Sequence, residues 1–247
     1  MSCDKGKQSD YQPFPVSGSL AKNSNLCLRR LARAVTKEDA TVYCYMIKSV
    51  KNDNGSFRQQ GCGPNWQGGL ITLCTCKHYM RTFLNPKDWK GKWIAGFTTI
   101  NDGSSRKDGS NRRNALVYLM KVKDAFESHH DLWYALSAKA RTAKATHKKG
   151  NIHGDLFRPK GKLKNSDKHA PSKYYSPCGS HDHSKGKGWH NDVNYSKTKN
   201  RYPSLLVGDK NNSFLWKRPL VAAKKKLHRG QKKMSLDKLL NQFLLEV

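Results

Sequence analysis

The sequence predicts an α+β protein: a small β-rich barrel with a few peripheral helices and long basic loops. Three observations support this fold class. Short runs rich in β-branched and aromatic residues recur along the chain. Polar, glycine-containing segments separate these runs. Helical periodicity is confined to a few short stretches. The short spacing between the apolar runs is typical of a small barrel-like sheet.

Six segments have the composition of strands. They lie at residues 41–50, 68–76, 92–100, 115–123, 202–209 and 213–219. In the first and fourth, apolar side chains alternate between two faces. The second begins at two glycines and is apolar throughout, which predicts a buried strand. The last two are short and are joined by a polar turn.

Helical spacing occurs in four places. The predicted helices lie at residues 26–35, 78–84, 124–143 and 235–247. In the third, Phe126, Trp133, Leu136 and Ala140 recur at helical spacing. The fourth begins at Ser235 as its N-cap and carries an apolar stripe of leucines. This stripe either packs on the core of the domain or contacts a protein partner.

The composition divides the chain into three segments. Residues 1–40 form a basic, flexible tail with a short helix, residues 41–220 the main domain, and residues 221–247 a basic segment with an amphipathic helix. Within the main domain, residues 139–189 contain 13 Lys or Arg and 3 Asp, a local net charge of 13 − 3 = +10. A stretch of this kind is a long functional loop or a partly ordered insertion.

The charge of the chain indicates a polyanionic partner. Lys and Arg number 47 and Asp and Glu number 18, so the formal net charge is 47 − 18 = +29. A chain this cationic repels itself unless an anionic polymer neutralises it, and nucleic acid is the usual polymer. We expect DNA rather than RNA, for reasons given below.

The sequence is expected to be neither that of a membrane protein nor that of a secreted protein. No segment approaches the roughly 20 consecutive apolar residues of a membrane span, so a membrane partner is not expected. The polar first residues have no apolar run of the signal-peptide type, so we expect a cytoplasmic location, in the host if the chain is viral. The seven cysteines are irregularly spaced and are expected to be mostly reduced.

Residues 61–81 are the most informative run. Pro64 and the glycines around it predict a rigid turn, and Asn65 can bond backbone groups there. The following strand ends at Thr75, and a helical turn is expected to follow. Free amides at the start of that turn, together with Lys77 and Arg81 on one helical face, predict a phosphate site, and Thr75 is expected to hold the phosphate with them.

This run carries a resemblance to a known family. The Pro64-Asn65 turn, the apolar strand closing in Thr75-Cys76-Lys77, and the following Arg81 resemble the nucleotide modification associated domain family, type 2. Residues 91–97 and 115–122 are similar to two later strands of that family, with Lys92 where the family has an acidic residue. The resemblance covers residues 41–220.

The resemblance implies an activity and an architecture. Members occur in bacteria and bacteriophages and are associated with DNA base modification. The strand order implies a relationship to the PUA-like barrels that bind modified bases. The run HGDLFRP at residues 153–159 is similar to a Gly-Asp motif of the family, which implies a site role for Asp155 and places Arg158 beside it.

Cys76 and Asp155 are the candidate catalytic residues. A thiol at a strand-to-helix junction beside Lys77 could be a nucleophilic thiolate, with His153, His181 or His190 as its base. The alternative is that Cys76 packs as a small apolar residue, as expected for Cys74. Asp155 could orient a histidine, accept a hydrogen bond from a base edge or neutralise neighbouring cations.

Metal and cofactor sites are not expected. Cys178, His181 and His183 form a weak candidate zinc cluster, because zinc prefers such nitrogen and sulfur donors. Cys74, Cys76 and His78 form another. Neither cluster has the paired two-residue gaps of a common zinc finger.

Aromatic side chains lie between the cations along the chain and can stack on exposed bases. Trp66, which follows the Pro64-Asn65 turn, is the leading candidate. Three functions fit: a nucleic-acid-binding protein associated with DNA base modification that recognises or processes a nucleotide in a basic pocket, a nucleotide-modifying enzyme using Cys76 or Asp155, and a structural RNA-binding protein of a ribonucleoprotein. The pocket is expected to lie between residues 63–66, 75–81 and 153–158.

Overall fold

The computed structural model describes residues 14–15, 17–35, 40–101, 112–148, 151–178, 188–195, 201–227 and 231–247. The helices in these ranges are α1 (Gly18–Lys22), α2 (Leu28–Ala34), α3 (His78–Arg81), α4 (Pro86–Trp89), α5 (His129–Ala135), α6 (Ala138–Lys144) and α7 (His190–Asn194). Short 3-10 turns cover Gln67–Gly69, Asn165–Asp167 and Pro171–Lys173, and Lys238–Phe243 is π-helical.

The strands of the described residues are β1 (Thr41–Met46), β2 (Val50–Asp53), β3 (Ser56–Gln59), β4 (Thr72–Leu73), β5 (Trp93–Asn101), β6 (Arg112–Phe126), β7 (Leu205–Leu215), β8 (Val221–Ala223), β9 (Gln231–Ser235) and β10 (Leu244–Glu246). Strands and helices are therefore mixed along the chain. The fold is α+β with a curled mixed sheet and few helices, as predicted at this coarse level.

The chain divides into two compact units, each defined by the contacts among its own residues. The sheet unit has its described residues within 14–59, 91–121 and 209–247. The loop-rich unit has its described residues within 60–90 and 122–208. The division falls inside β6, after Lys121, and inside β7, after Gly208.

The sheet unit is built on the strand order β10-β8-β6-β5-β1-β9. β1 runs parallel to β5, and its other edge pairs antiparallel with β9. Both faces of β1 and β5 are largely buried, which explains their β-branched and aromatic composition. Gly96 is required in β5, because a Cβ there would lie 2.2 Å from Cε1 of Tyr118. That close approach accompanies a shift of register between Gly96 and Phe97.

The loop-rich unit has a small apolar core under long connections. Its main buried cluster contains Leu70, Cys74, Leu132, Ala140, Leu156, Leu205 and Val207. Helices α5 and α6 pack there, and both have the serine N-caps that their sequences offer: Ser128 accepts from the amide of Asp131, and Ser137 from that of Ala140. β4 pairs with the first residues of β7, Thr72 opposite Val207.

Several predicted elements are confirmed. The strands predicted at residues 92–100 and 115–123 are β5 and β6. The helix predicted at 26–35 is α2, with Leu31 fully buried.

Two predicted elements are wrong. The buried strand predicted at residues 68–76 is a 3-10 turn followed by only two strand residues, because Gly68 and Gly69 have positive φ and the chain bends after Leu73. The two strands predicted at 202–219 are one strand, β7.

The helix predicted from Ser235 is present but shorter than expected. Ser235 Oγ accepts from the amide of Lys238, and the helical residues are 236–243, π-helical from Lys238 to Phe243. Leu236, Leu239 and Phe243 are buried, so the stripe packs on the core.

The long helix predicted at residues 124–143 is also shorter than expected. β6 continues to Phe126, and the helical part is divided at Leu136 between α5 and α6. Among the described residues, no helix combines the length and the apolar composition that crossing a membrane requires.

Candidate functional site

The turn at residues 61–66 is fixed by Asn65, which is fully buried. Its backbone N–H and C=O both pair with Thr72 across an isolated bridge, at 3.1 and 2.8 Å. Its side-chain Oδ1 accepts from the amide of Gln67 at 3.0 Å, and its Nδ2 donates to the carbonyl of His153. Asn65 thus bonds the backbone groups of the turn and ties it to the segment that carries Asp155.

Asp155 and Lys144 are buried beside this turn, with 1% and 0% of their surface exposed. Thr72 Oγ1 donates to Asp155 Oδ2 at 2.8 Å. Lys144 Nζ donates to Asn65 Oδ1 at 2.7 Å, to the Leu70 carbonyl at 2.9 Å and to the Asn65 carbonyl at 3.2 Å. Burial lowers the pKa of Lys144 to about 8, and the charge of Asp155 opposes that shift.

The predicted cysteines differ in environment. Cys74 is buried, and burial together with the nearby Asp155 raises the pKa of its thiol well above the ordinary value. Cys76 is a free, partly exposed thiol whose Sγ lies 3.8 Å from Sγ of Cys62. A Cβ at Gly63 would lie 2.8 Å from Cys76 Sγ, so the glycine leaves room for that thiol.

Arg81 is buried in a cage of carbonyl oxygens. Nε donates to the carbonyl of Cys76, one terminal nitrogen to that of Cys74 and the other to that of Ser204, each at 2.8 Å. Burial lowers the pKa of Arg81, and neighbouring groups, Cys74 first, oppose the shift. A phosphate could reach this guanidinium only if these hydrogen bonds broke.

The structure brings part of the predicted site together. One buried network contains Asn65, Asp155 and the backbone of His153. It also contains Lys144 and Thr72, for which the sequence predicts no site role. The sequence gives little indication that Lys144 is buried, because an isolated lysine in a basic segment is ordinarily solvent-exposed. The catalytic roles predicted for Cys76 and Asp155 stay predictions.

The other predicted binding residues occupy varied environments. Pro64, Thr75 and Trp66 are buried, and Thr75 Oγ1 donates to Cys62 Sγ at 3.2 Å. A base could stack on the Trp66 ring only after the turn moved, since 6% of that residue is exposed. Lys77 is partly exposed in a left-handed conformation, with φ of 58°.

The predicted metal ligands do not form a site in the described part of the chain, where no cluster of three or more His, Cys, Asp or Glu suits a metal ion. Cys178 is disulfide-bonded, and a bridged sulfur is not a thiolate ligand. His181 and His183 lie outside the described residues. His78 hydrogen-bonds Asp192 Oδ1 through Nε2 at 2.8 Å. The five other cysteines that the structure describes are free thiols, in agreement with the expectation of mostly reduced cysteines.

Arg158 belongs to a different feature of the loop-rich unit, which we call the ring–cation row: Arg141, Trp133, His147, Tyr175 and Arg158. The guanidinium carbon of Arg141 lies 5.8 Å from the Trp133 ring centre, and that of Arg158 lies 5.2 Å from the Tyr175 ring centre. Between them, His147 lies 6.2 Å from Trp133 and 5.5 Å from Tyr175, centre to centre. Three rings therefore form one connected series with a guanidinium group at each end.

The backbone holds this row at three points. Trp133 is on α5 and Arg141 on α6, the two helices with serine caps. The amide of Tyr175 donates to the carbonyl of Arg158 at 3.0 Å. The row is thus carried by anchored backbone rather than by a chain of independent surface side chains.

The row is accessible and cationic. Tyr175 is 41% exposed, Arg158 is exposed, and Trp133, Arg141 and His147 are partly exposed. Burial, Arg158 and Lys148 all lower the pKa of His147, so the electrostatic environment at the centre of the row is positive. Further exposed cations follow Arg158 in the chain, namely Lys160, Lys162 and Lys164.

Of the residues in this row, the sequence predicts a site position for Arg158 and places Trp133 on the apolar face of a helix. It predicts no individual role for Tyr175, His147 or Arg141. The sequence does place aromatic residues among cations between residues 133 and 175. The contacts between them join residues up to 28 positions apart, so the spacing along the chain does not predict which of them meet.

Comparisons of the chain with protein-family models, with curated proteins and with solved structures found no match.

Proposed function

We propose that this is a nucleic-acid-binding protein associated with DNA base modification, and that exposed bases stack on the ring–cation row while phosphates contact its arginines. The observation that carries the proposal is the series of three aromatic rings with a guanidinium group at each end, all on exposed or partly exposed side chains. Proteins that bind single strands combine ring faces for the bases with cations along the backbone.

The dimensions of the row suit an unpaired strand. Neighbouring ring centres are 5.5 and 6.2 Å apart, so the row offers separate faces to bases that have left their own stack. Stacking inside a duplex covers the faces of the bases, so the ligand is a single strand or an extruded nucleotide. Stacking accepts any base because every base has a π-face, which makes this surface tolerant of modified bases.

The charge supports a polyanionic ligand. The chain carries a formal charge of +29, and the row has cations at both ends. In the segment 156–178, Arg158, Lys160, Lys162, Lys164, Lys168 and Lys173 face a single acid, Asp167. Asp167 pairs with Lys173 at 3.2 Å and Asp131 pairs with Lys168 at 2.7 Å, so Arg158 and three lysines of this segment are left to attract phosphates.

The finer assignments belong to the same proposal. The resemblance of residues 41–220 to the nucleotide modification associated domain family, type 2, supports DNA over RNA and a role with modified bases. The curled mixed sheet is compatible with the PUA-like barrel that this resemblance implies. A cytoplasmic location is part of the same proposal.

A nucleotide-modifying enzyme is the second candidate. The pKa of Lys144, lowered to about 8 beside a buried carboxylate, is the kind of perturbation found at catalytic sites. Lys144 gives its hydrogen bonds to Asn65 and Leu70 and is fully buried, so a structural role also accounts for the shift. Enzyme action predicts that Asp155→Asn abolishes turnover of a nucleotide substrate while oligonucleotide binding persists.

Binding of fluorescent oligonucleotides tests the first proposal. Single-stranded DNA, duplex DNA and folded RNA are titrated with the wild-type protein, Tyr175→Ala and Tyr79→Ala. Tyr79→Ala is the control, because Tyr79 is also an exposed tyrosine of the loop-rich unit, at 55% exposure, and lies outside the row. We expect single-stranded DNA to bind most tightly and Tyr175→Ala to weaken it about 5- to 100-fold.

Other outcomes count against the proposal. Equal losses in Tyr175→Ala and Tyr79→Ala would remove the row from the binding surface. A preference for folded RNA over both forms of DNA would favour the structural RNA-binding protein considered from the sequence.

A further inference from the structure

The sheet unit contains a cavity of about 620 Å³ between β1, β2, β5 and β6. None of the site residues predicted from the sequence lines it. Its volume lies within the range of small-molecule sites, about 300 to 1,000 Å³. Four lining residues are apolar, namely Met46, Ile47, Val50 and Leu227, and the remaining lining side chains are cationic, amide or hydroxyl groups.

The cavity is positive. Its described lining includes no acidic side chain and four cationic ones, Lys48, Lys51, Arg112 and Lys226. Within the described residues, the three lysines form no ion pair with a carboxylate. Four cations around one hollow repel one another, and a bound anion relieves that repulsion.

Amide groups supply directional contacts inside this positive cavity. Asn114 Oδ1 accepts from the amide of Leu227 at 2.7 Å, which assigns the orientation of the amide because a backbone N–H can only donate. Nδ2 of Asn114 is therefore the group left to donate to a ligand. Oδ1 of Asn52, another lining residue, is buried without a hydrogen-bond partner in the described part of the chain.

We propose that this cavity is a binding site for a nucleoside phosphate. The lysines and Arg112 contact the phosphate, the asparagine amides contact hydrogen-bonding edges of the base or sugar, and the apolar lining residues pack against the flat base. Phosphate alone would leave the apolar lining and the amides without a partner, and a neutral nucleoside would leave the three lysines without one. No residue of the ring–cation row lines the cavity, and this proposal does not depend on the row.

Calorimetric titration tests the site. The wild-type protein is titrated at about 150 mM salt, where weak surface attraction is screened, with the four deoxynucleoside 5′-monophosphates, the matching nucleosides and inorganic phosphate. We expect at least one monophosphate to bind at least about tenfold more tightly than its nucleoside and than inorganic phosphate. Equal affinity for monophosphate and inorganic phosphate would overturn the proposal, and so would the absence of binding by all four monophosphates.

Exposed lysines provide matched variants, because their removal is tolerated by the fold. Lys51→Ala and Lys226→Ala should each weaken monophosphate binding about tenfold. Lys238→Ala, at another exposed position of the same unit that does not line the cavity, should leave it unchanged. Equal effects of all three variants would overturn the proposal.

Tyr175→Ala separates this inference from the function proposed above. It should weaken oligonucleotide binding and leave monophosphate binding intact. If monophosphate binding falls with Tyr175→Ala and not with Lys51→Ala, the nucleotide binds at the row, and the cavity proposal is wrong. If monophosphates bind as expected while Tyr175→Ala leaves oligonucleotide binding unchanged, only the proposal for the row is wrong.

Discussion

Lys144 Nζ lies 2.7 Å from Asn65 Oδ1 and donates a second hydrogen bond, at 3.2 Å, to the carbonyl of the same residue. A buried cation thus holds both the side chain and the backbone of the turn residue that the sequence analysis singled out. Asp155 lies close enough for its charge to influence that cation. The buried network is therefore a structural support for the loop-rich unit.

Replacing Lys144 should destabilise the protein strongly. Lys144→Met removes the donor to the Asn65 and Leu70 carbonyls and removes a buried positive charge that acts on Asp155. Breaking a buried charge pair from one side costs about 3 to 5 kcal/mol. Urea unfolding followed by fluorescence measures the loss. A change below about 1 kcal/mol would contradict the structural role.

The same variant reports on the pKa of Lys144. The pKa is about 8 in the folded protein against the ordinary 10.5, so between these values the unfolded chain binds more protons. The unfolding free energy contributed by Lys144 should therefore rise with pH across this window, by about 3 kcal/mol in total. Measured as wild type minus Lys144→Met, the difference should grow from pH 8 to 10.5. A constant difference would mean that the pKa is not lowered.

Replacing Arg81 by lysine should destabilise the protein. Its planar guanidinium donates in three directions to the carbonyls of Cys74, Cys76 and Ser204, and an ammonium cannot reach all three. We expect Arg81→Lys to lower the unfolding free energy by about 2 to 4 kcal/mol. Arg58→Lys is the control, because Arg58 is exposed and makes one surface ion pair, with Asp53. Similar small losses in both variants would show that the carbonyl cage contributes little.

Alkylation should distinguish the thiols. Cys76 and Cys27 are partly exposed, whereas Cys74 and Cys44 are buried. Burial raises the pKa of Cys44 to about 12 and that of Cys74 well above the ordinary value, so few thiolates form there at neutral pH. Iodoacetamide on the native protein should label Cys76 and Cys27 first, as read by peptide mass spectrometry. Labelling of Cys74 at an equal rate would mean that its surroundings open readily.

The salt dependence of binding should report the arginines of the row. Each phosphate contact on a single strand contributes about 0.7 to the slope of log affinity against log salt. Arg158→Ala and Arg141→Ala should each reduce the slope by about that amount. Lys87→Ala, at an exposed position of the same unit outside the row, should leave it unchanged. An unchanged slope in both arginine variants would exclude phosphate contacts at these positions.

Local sequence pattern predicted the central strands well and the connections poorly. β5 and β6 are buried, β-branched and aromatic, and their pattern is sufficient. The prediction of two strands at residues 202–219 is wrong because the polar run at Asp209 to Asn212 has the composition of a turn. In the structure, Asp209 Oδ1 accepts from the amides of Asn211 and Asn212 within a continuous strand. These side-chain hydrogen bonds are those of an Asx turn, and β7 continues on both sides of it.

The candidate site was predictable only in part. Asn65 and Asp155 were selected and are close in space, but the burial of Lys144 and Arg81 depends on carbonyls that lie up to 123 residues away in sequence. Composition assigns such cations to the surface. The ring–cation row was equally hidden, because Trp133 fits a helical core face as well as it fits a partly exposed platform.

Photochemical crosslinking tests the central claim most directly. A single-stranded DNA oligonucleotide carrying 5-iodo-deoxyuridine is irradiated with the protein, and the crosslinked residues are mapped by peptide mass spectrometry. Stacking on the ring–cation row predicts crosslinks at Tyr175 and Trp133, lost in Tyr175→Ala and retained in Tyr79→Ala. Crosslinks confined to other parts of the chain, with none at Tyr175, Trp133 or His147, would contradict the account.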